Sequence, residues 1–413
     1  MPHGKQSLKS YFVQGKYIFF YNILERLTFF AFYISIARYV DKELYGLIVS
    51  VSAFTNIIAS IFDLGLPFFI QRESATNSIS RQTLLNILSL KIILMIFLLP
   101  LPLIYFSGDQ RYFLIILLIA LVNFYHPLNQ ILVFYLNGKD KFEINFKSVF
   151  YSRLILFTLL FFYTIYRVKI EISLLTILSI LVFQSLYLSR FIRGFDLIKS
   201  SKVFDLKDAM NIVRKSLPFG LGVIFTMAYD RIDVLILNHF WGKTDVAVYS
   251  VAYSLIRHTS IFSTVILLQS YNKLSRFYLQ EKRMHLNLIV KEIIVLIFVA
   301  SGLVFVYLNW GDLIISIIFT KKFLVSSEYL KTISFAIPLI FLNNFTGILL
   351  NSQRLEKVTM MTTFLGLIIN VSSNFILIPR LGIYGAIYST IITEGTILFS
   401  QLFFLIKKSF EYR

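Results

Sequence analysis

Residues 227–237 read MAYDRIDVLIL and place three charged side chains, Asp230, Arg231 and Asp233, inside an otherwise apolar run. A charged side chain near the centre of a membrane-spanning helix costs about 2.5–3.5 kcal/mol on insertion scales. Such side chains therefore almost always face a bundle interior or a wet cavity, and they occur in pairs. What these three charges do depends on whether the run around them crosses a membrane.

The composition of the whole chain indicates that it does. The 413 residues are 57% hydrophobic and only 15% charged, whereas a soluble domain carries about 25% charged residues. Apolar runs of roughly 20 residues, long enough to cross a bilayer core of about 30 Å, recur from end to end. Continuous runs such as 112–122 and 174–183 lack the alternation of membrane β-strands. We therefore predict an all-α polytopic membrane protein.

The formal charge of +18 does not indicate nucleic-acid binding, because Lys and Arg collect in the short connections between apolar runs. There is no cysteine, which excludes disulfides and thiolate chemistry. The five histidines are scattered without metal-ligand spacing. No small-residue cleavage site follows the first apolar run, so we expect that run to be retained as a helix.

Hydropathy predicts twelve membrane helices, and the excess of Lys and Arg in alternate connections places both termini in the cytoplasm. A short apolar piece at 313–319 is predicted to lie at the membrane interface. The twelve predicted helices are 17–38, 44–66, 84–106, 112–136, 148–166, 172–192, 214–238, 246–270, 287–308, 329–350, 358–378 and 384–406.

The longest basic connection, 193–215, divides the chain near its middle. We predict an N-terminal six-helix lobe at 1–198, a cytoplasmic basic linker at 199–213 and a C-terminal six-helix lobe at 214–413. Because six is even, both halves start on the same side and run in the same direction. Such parallel repeats are a known transporter plan, with substrate held between the halves.

Helices 1 and 7 carry matching charged pairs, Glu25-Arg26 and Asp230-Arg231, and in both halves a Tyr followed by a small residue opens the next helix. On a continuous helix 7, Asp230 and Asp233 share a face and Arg231 points about 100° away. Arg231 would then not be fully neutralised by its own helix. The alternative is a salt bridge near the outer leaflet that only holds helices together.

Two further cations lie in predicted helices. Arg257 is in helix 8, and Lys91, in helix 3, either lines the site or extends its ammonium to the cytoplasmic interface. Several cations with few opposing acids suit an anionic ligand, above all a phosphate, which Arg binds bidentately. The predicted substrate-binding residues are Arg26, Arg231, Arg257 and Lys91.

Several motifs together resemble one protein family. They are IFDLGLP at 61–67 with QRE at 71–73, SLPFG at 216–220, YDRID at 229–233 and NFILIPRLGIYGA at 374–386. Over essentially the whole chain, their order and spacing are similar to those of the polysaccharide-biosynthesis (Wzx-type, O-antigen) flippases of the multidrug/oligosaccharidyl-lipid/polysaccharide exporter superfamily.

The resemblance implies two six-helix lobes around a central cavity in the bacterial inner membrane. It implies transport of an undecaprenyl-diphosphate-linked oligosaccharide to the outer leaflet, with the diphosphate on Arg26, Arg231 and Arg257. Polysaccharide polymerase machinery would be a partner. No cofactor is implied beyond a coupling Na⁺ or H⁺.

A related lipid II flippase family holds sodium with residues of helices 7, 11 and 12, and this resemblance implies an ion site here. Glu394 could add charge to that site or carry a proton, and the two Asn residues could instead only bridge helices. The implied ion-coupling residues are Asp230 or Asp233, Asn370 and Asn374, Thr390 or Thr393, and Glu394.

Two rival functions remain. A multidrug exporter of the same superfamily would favour acids in its cavity to hold cationic drugs. A membrane glycosyltransferase or polymerase acting on the same lipid carrier could use Asp41 and Glu43 in the first outside turn, but that turn is too short to build an active site. We therefore expect a protein that is not an enzyme.

Overall fold

The computed structural model describes residues 8–76, 79, 81–192, 205–281 and 286–411, and these are almost entirely α-helical, without a β-strand. This confirms the predicted all-α class. Short 3₁₀ turns at Ser107–Tyr112, Lys321–Phe323 and Ser334–Ala336 join some of the helices. The helices are α1 (Leu8–Tyr39), α2 (Lys42–Asp63), α3 (Leu66–Ala75), α4 (Arg81–Leu98), α5 (Pro100–Tyr105), α6 (Phe113–Gly138), α7 (Phe142–Tyr166), α8 (Ile170–Ser189), α9 (Leu206–Tyr229), α10 (Ile232–Trp241), α11 (Lys243–Glu281), α12 (Leu286–Ile318), α13 (Ser326–Ile333), α14 (Ile337–Ser352), α15 (Glu356–Leu381) and α16 (Ile383–Glu411).

The chain is a multi-pass membrane protein. Three of the predicted spans, in α1, in α9–α10 and in α11, fall outside the nine apolar stretches of the described helices, and these three carry the charged residues Glu25, Asp230 and Arg257. The total of twelve spans therefore stays a prediction. Nine stretches in the described parts of the chain are long and apolar enough to cross a membrane: Lys42–Ala75, Gln82–Tyr105, Ser107–Gly138, Phe142–Tyr166, Ile170–Ser189, Ile289–Ile318, Ser326–Ser352, Glu356–Leu381 and Ile383–Lys408.

Several predicted segments differ in the structure: predicted helix 84–106 is divided between α4 and α5, and predicted helix 329–350 between α13 and α14. Predicted helix 2 stops at Asp63, because Leu64 and Gly65 adopt positive φ angles of 52° and 71°, and α3 then begins with Pro67 in its first turn. The piece at 313–319 is not a separate interfacial segment. It forms the end of α12, which continues without interruption to Ile318.

The fold divides into two compact units. Unit 1 comprises residues 1–39 and 54–224, and unit 2 comprises residues 40–53 and 225–413, as far as these ranges are described. The first part of the predicted linker, 199–204, lies outside the described residues, and its last part, 206–213, forms the start of α9. The predicted lobe boundaries and the internal repeat stay predictions.

Each unit is held together by close helix packing. In unit 1, α1 packs on α7, and α6 packs on α3 and α8. In unit 2, α16 packs on α15 and α14, and α11 packs on α13 and α14. The contact between α15 and α16 is close because Gly385 lies against the backbone of Leu377 and Gly366 lies against the side chain of Ile397.

A second close backbone contact lies within unit 1. A Cβ atom on Gly65, at the bend between α2 and α3, would lie 2.4 Å from the backbone nitrogen of Gly220 in α9. A Cβ atom on Gly220 would lie 2.5 Å from the backbone nitrogen of Gly65. These two residues of the IFDLGLP and SLPFG motifs therefore have to be glycine, because no side chain fits between the two backbones.

Candidate functional site

The opening stretch is not one continuous helix. α9 ends at Tyr229 and α10 begins at Ile232, so that Asp230 and Arg231 form the break between them. Their amides still bond backward, from Asp230 to Thr226 at 3.0 Å and from Arg231 to Ala228 at 3.3 Å. The prediction of an unbroken helix 7, and of charges spaced around it at helical angles, was therefore wrong. Discontinuous membrane helices of this kind are where transporters place substrate and ion sites.

Asp230 is the centre of a polar cluster in unit 2. Its carboxylate forms an ion pair with Arg257 of α11, and its Oδ1 accepts a hydrogen bond of 2.7 Å from the Tyr253 hydroxyl. The Nε atom of Arg231 lies 3.9 Å from Asp230 Oδ2. Two arginines therefore converge on one carboxylate, and both side chains remain partly exposed, Arg231 at 23% and Arg257 at 31%.

Asp233 does not share this role. It is 2% exposed, its Oδ1 accepts a hydrogen bond of 2.7 Å from the amide of Val234, and its Oδ2 accepts a hydrogen bond from the Tyr249 hydroxyl. Thr390 of α16 lies beside the Tyr249 hydroxyl, while its own hydroxyl donates to the carbonyl of Ala386 at 3.0 Å. The structure thus connects two of the predicted ion-coupling residues, Asp233 and Thr390, through a tyrosine that the prediction did not include.

The remaining predicted ion-coupling residues form a polar ladder between α15 and α16. Asn374 Nδ2 donates to Asn370 Oδ1 at 2.9 Å, and Asn370 Nδ2 donates to Thr393 Oγ1 at 3.2 Å. Glu394 lies on α16 and accepts a hydrogen bond of 2.6 Å from Asn343 of α14. This ladder fits the alternative that the Asn residues bridge helices.

These side chains nevertheless carry oxygen atoms of the kind that bind hard cations. Asn374 is fully buried, and within the described residues its Oδ1 has no hydrogen-bond partner. An amide oxygen in this state is available to a cation, as are the carboxylate of Asp233 and the hydroxyl of Thr390. In the described parts of the chain, no three His, Cys, Asp or Glu side chains form a group that could hold a metal ion.

The predicted pair in helix 1 has a different partner. Glu25 lies in α1, and its Oε1 accepts a hydrogen bond of 3.0 Å from Arg153 Nη2 of α7, while Arg26 is exposed on α1. Arg153 is 1% exposed. Sequence reasoning missed Arg153, although a lone Arg within the apolar run of α7 is the same signal that identified Arg231. Glu25 thus pairs with an arginine of α7 in unit 1, whereas Asp230 pairs with an arginine of α11 in unit 2.

Lys91 is enclosed within unit 1, whereas the interfacial alternative requires an ammonium in contact with water. Its ammonium is fully buried and forms an ion pair with Asp63 at the end of α2. It also donates to the carbonyl of Pro127 at 3.3 Å and lies 5.3 Å from the centre of the Phe62 ring. Lys91 is thus shielded from solvent by its neighbours. None of its side chain is exposed, whereas the predicted role in substrate binding would require exposure.

The described structure is thus an all-α, multi-pass membrane fold with charged groups at a helix break. The sequence profile of the polysaccharide biosynthesis protein family matches residues 15–271, well over half of the chain, and the MatE profile matches residues 218–376. The chain belongs to the polysaccharide biosynthesis protein family, and with it to the multidrug/oligosaccharidyl-lipid/polysaccharide exporter superfamily.

Known proteins share this fold at low sequence identity. The lipid II flippase MurJ in an inward closed conformation superposes with a TM-score of 0.69 at 14% identity, over 95% of this chain and 87% of MurJ. An inward-facing multidrug resistance MATE transporter superposes with a TM-score of 0.69 at 15% identity, over 92% of this chain and 94% of that transporter. A superfamily transporter from Pyrococcus furiosus is described as having a binding pocket of reverse polarity. It superposes with a TM-score of 0.66 at 16% identity, over 97% of this chain and 95% of that transporter.

One curated relative is an uncharacterized membrane protein, MJ1068, of Methanocaldococcus jannaschii. It is 21% identical over 314 residues, which are 73% of this chain. The chain spans 61% of the length of that relative.

Proposed function

We propose that the protein is a flippase that moves an undecaprenyl-diphosphate-linked oligosaccharide from the cytoplasmic to the outer leaflet by alternating access. This proposal rests mainly on two arginines, Arg231 and Arg257, which both lie against Asp230 at the break between α9 and α10. A guanidinium group has more N–H donors than a single carboxylate can accept. Two partly exposed guanidinium groups can therefore also bind a diphosphate.

Family membership supports the same cargo class. The family is named for polysaccharide biosynthesis, and one protein of the same fold is a flippase for a lipid-linked substrate, lipid II. The protein would work in the bacterial inner membrane with both termini in the cytoplasm. It would deliver its cargo to a polymerase that uses the same carrier at the outer leaflet.

Coupling to a cation is part of this proposal. Asp233, Asn374 and Thr390 provide the oxygen ligands for Na⁺, while Glu394 with its partner Asn343 is the residue that would carry a proton. In proteoliposomes, a Na⁺ gradient should drive flipping if Asp233, Asn374 and Thr390 bind the coupling ion. A proton gradient should drive it if Glu394 carries the coupling proton.

A multidrug exporter is the second candidate, because the MatE profile and a MATE structure match the chain. A site for cationic drugs would need an acid that is available to the drug. Asp230 is instead occupied by Arg257 and Tyr253. This arrangement favours the anionic cargo.

The test of the proposed function is to delete the gene and to determine on which leaflet the lipid-linked sugar accumulates. Complete repeat units on the cytoplasmic leaflet, together with loss of surface polysaccharide, are expected for a flippase. Truncated sugars, or complete units on the outer leaflet, would identify an enzyme acting before or after the flip. Normal surface polysaccharide would contradict the proposal.

Arg231→Ala is expected to reduce flipping at least about tenfold, equivalent to roughly 1.4 kcal/mol of binding free energy, because it removes one of the two guanidinium groups at the helix break. Arg231→Lys should recover only part of the activity, since an ammonium cannot bind a phosphate bidentately. Arg380→Ala, an exposed arginine at the end of α15, is the matched control and should flip normally. Normal flipping by Arg231→Ala, at equal amounts of protein in the membrane, would exclude this role.

A further inference from the structure

Three helices of unit 2 begin next to one another, since α13 packs on both α11 and α16. Asp245 is the third residue of α11, and Tyr384 is the second residue of α16. Glu328 and Tyr329 are the third and fourth residues of α13. Each helix follows a connection that the distribution of Lys and Arg places on the outer side of the membrane. The charges at these helix starts place them at the boundary with water, because charges further inside would be costly.

Three tyrosines form a row at this outer end of unit 2. The ring centre of Tyr384 lies 5.0 Å from that of Tyr329 on α13. On its other side it lies 6.2 Å from the ring centre of Tyr388, one turn further along α16, and these two rings are close to parallel, with an angle of 25° between them. The three rings therefore form a continuous aromatic surface, which we call the tyrosine row.

Carboxylates lie beside the tyrosine row. The Tyr384 hydroxyl donates a hydrogen bond to Glu328 Oε1, which fixes the middle ring of the row. An ionised carboxylate can accept about four hydrogen bonds, so the exposed Glu328 keeps acceptor positions for another molecule. Asp245 lies near Tyr329 at the other end of the row. Aromatic faces and hydrogen-bond acceptors are thus held next to each other.

We propose that the tyrosine row and Glu328 form a sugar-binding site at the outer end of unit 2. One face of a pyranose ring carries C–H groups, and these pack against the electron-rich face of an aromatic ring. The hydroxyls at the edge of the same sugar donate hydrogen bonds to the carboxylate. Tyrosine suits this role because its large, rigid ring loses little conformational entropy on binding. The ligand class is a neutral sugar unit of an oligosaccharide.

Tyrosines also collect at membrane interfaces, where their rings lie at the level of the lipid headgroups. In that role a tyrosine hydroxyl faces water or a headgroup. The Tyr384 hydroxyl is instead bound to Glu328, and a carboxylate repels the phosphates of lipid headgroups. The arrangement favours an uncharged ligand that is rich in hydroxyls over a phospholipid.

This inference rests on the proposed function only for the choice of sugar. It gives the oligosaccharide a site on the outer side, formed by other residues than the two arginines that would bind the diphosphate. Binding to the purified protein requires no transport. A negative binding result would therefore leave the leaflet experiment intact, and a negative leaflet experiment would leave the binding result intact.

The test is saturation-transfer NMR of full-length protein in lipid nanodiscs, with millimolar repeat-unit oligosaccharide released from the surface polysaccharide of the same cells. We expect the wild type to bind. Tyr388→Ala should weaken binding at least about fivefold, as for other stacking contacts on aromatic side chains. Tyr388 is 42% exposed, so this substitution should not disturb the packing of α16. Tyr388→Phe should bind like the wild type, because it keeps the ring.

Glu328→Gln should weaken binding about threefold, because hydrogen bonds to a charged acceptor are stronger than those to a neutral one. Tyr166 provides the matched control, since it is exposed at the end of α7 and stacks on Phe162. Tyr166→Ala should bind like the wild type. No binding by the wild type, or equal binding by the wild type and Tyr388→Ala, would overturn the sugar site and leave the tyrosine row as an aromatic anchor at the membrane interface.

Discussion

Arg153→Ala is expected to lower the free energy of unfolding by about 3–5 kcal/mol, the effect of leaving one partner of a buried ion pair alone. Arg153 is 1% exposed, and its partner Glu25 would keep a buried charge without its cationic ligand. The loss should appear as a strongly reduced melting temperature and a lower yield of monodisperse protein in detergent.

The same helix provides the matched control for this substitution. Lys147 of α7 forms an ion pair of 2.7 Å with Glu143, and both side chains are about half exposed. Solvated pairs at this spacing contribute only about 0.3–0.5 kcal/mol, so Lys147→Ala should be nearly silent. Adding Glu25→Gln to Arg153→Ala should recover part of the stability, because the unpaired charge is removed. Equal effects of Arg153→Ala and Lys147→Ala would show that the buried pair does not stabilise the fold.

Gly220→Ala is expected to prevent α9 from packing against the bend between α2 and α3. The new Cβ atom would lie 2.5 Å from the nitrogen of Gly65 and 2.7 Å from the carbonyl carbon of Leu64. Both contacts are backbone atoms, which cannot rotate away as a flexible side chain would. Overpacking of this kind costs about 1–3 kcal/mol, and more where the backbone cannot move.

Gly222 provides the comparison, since it lies two residues further along α9 and a Cβ atom there would meet no heavy atom within 4 Å. Alanine has a higher helix propensity than glycine by about 1 kcal/mol, so Gly222→Ala should leave the melting temperature unchanged or slightly raised. Similar melting temperatures for the two alanine variants in the same detergent would contradict the close contact of Gly65 and Gly220.

Part of the fold was predictable because hydropathy and helix length are local properties of a sequence. A run such as 112–136 has to be buried in lipid or protein whatever its neighbours are, and the structure has α6 at this position. The breaks were less predictable. The helix breaks at residues 64–65 and 230–231 depend on a few backbone dihedral angles. The segments on both sides of each break are apolar, so hydropathy does not reveal them.

The candidate site, like the fold, was only partly predictable from the sequence. Charges inside apolar runs mark Arg26, Asp230 and Arg257 as functional candidates from the sequence alone, because such residues are costly in a membrane. Their partners could not be read from the sequence. Glu25 seemed to belong with Arg26, its neighbour in the chain, yet its ion-pair partner is Arg153, 128 residues away.

The amino-acid sequence by itself determined that this chain is an α-helical membrane protein, where its apolar segments lie and which of them carry charge, because those properties depend on composition over about 20 residues. The tertiary structure alone decided which charges neutralise one another. Lys91 pairs with Asp63, two arginines lie beside Asp230, and Glu25 pairs with Arg153. Ion pairs form within a few ångströms, and only helix packing brings residues from distant segments that close.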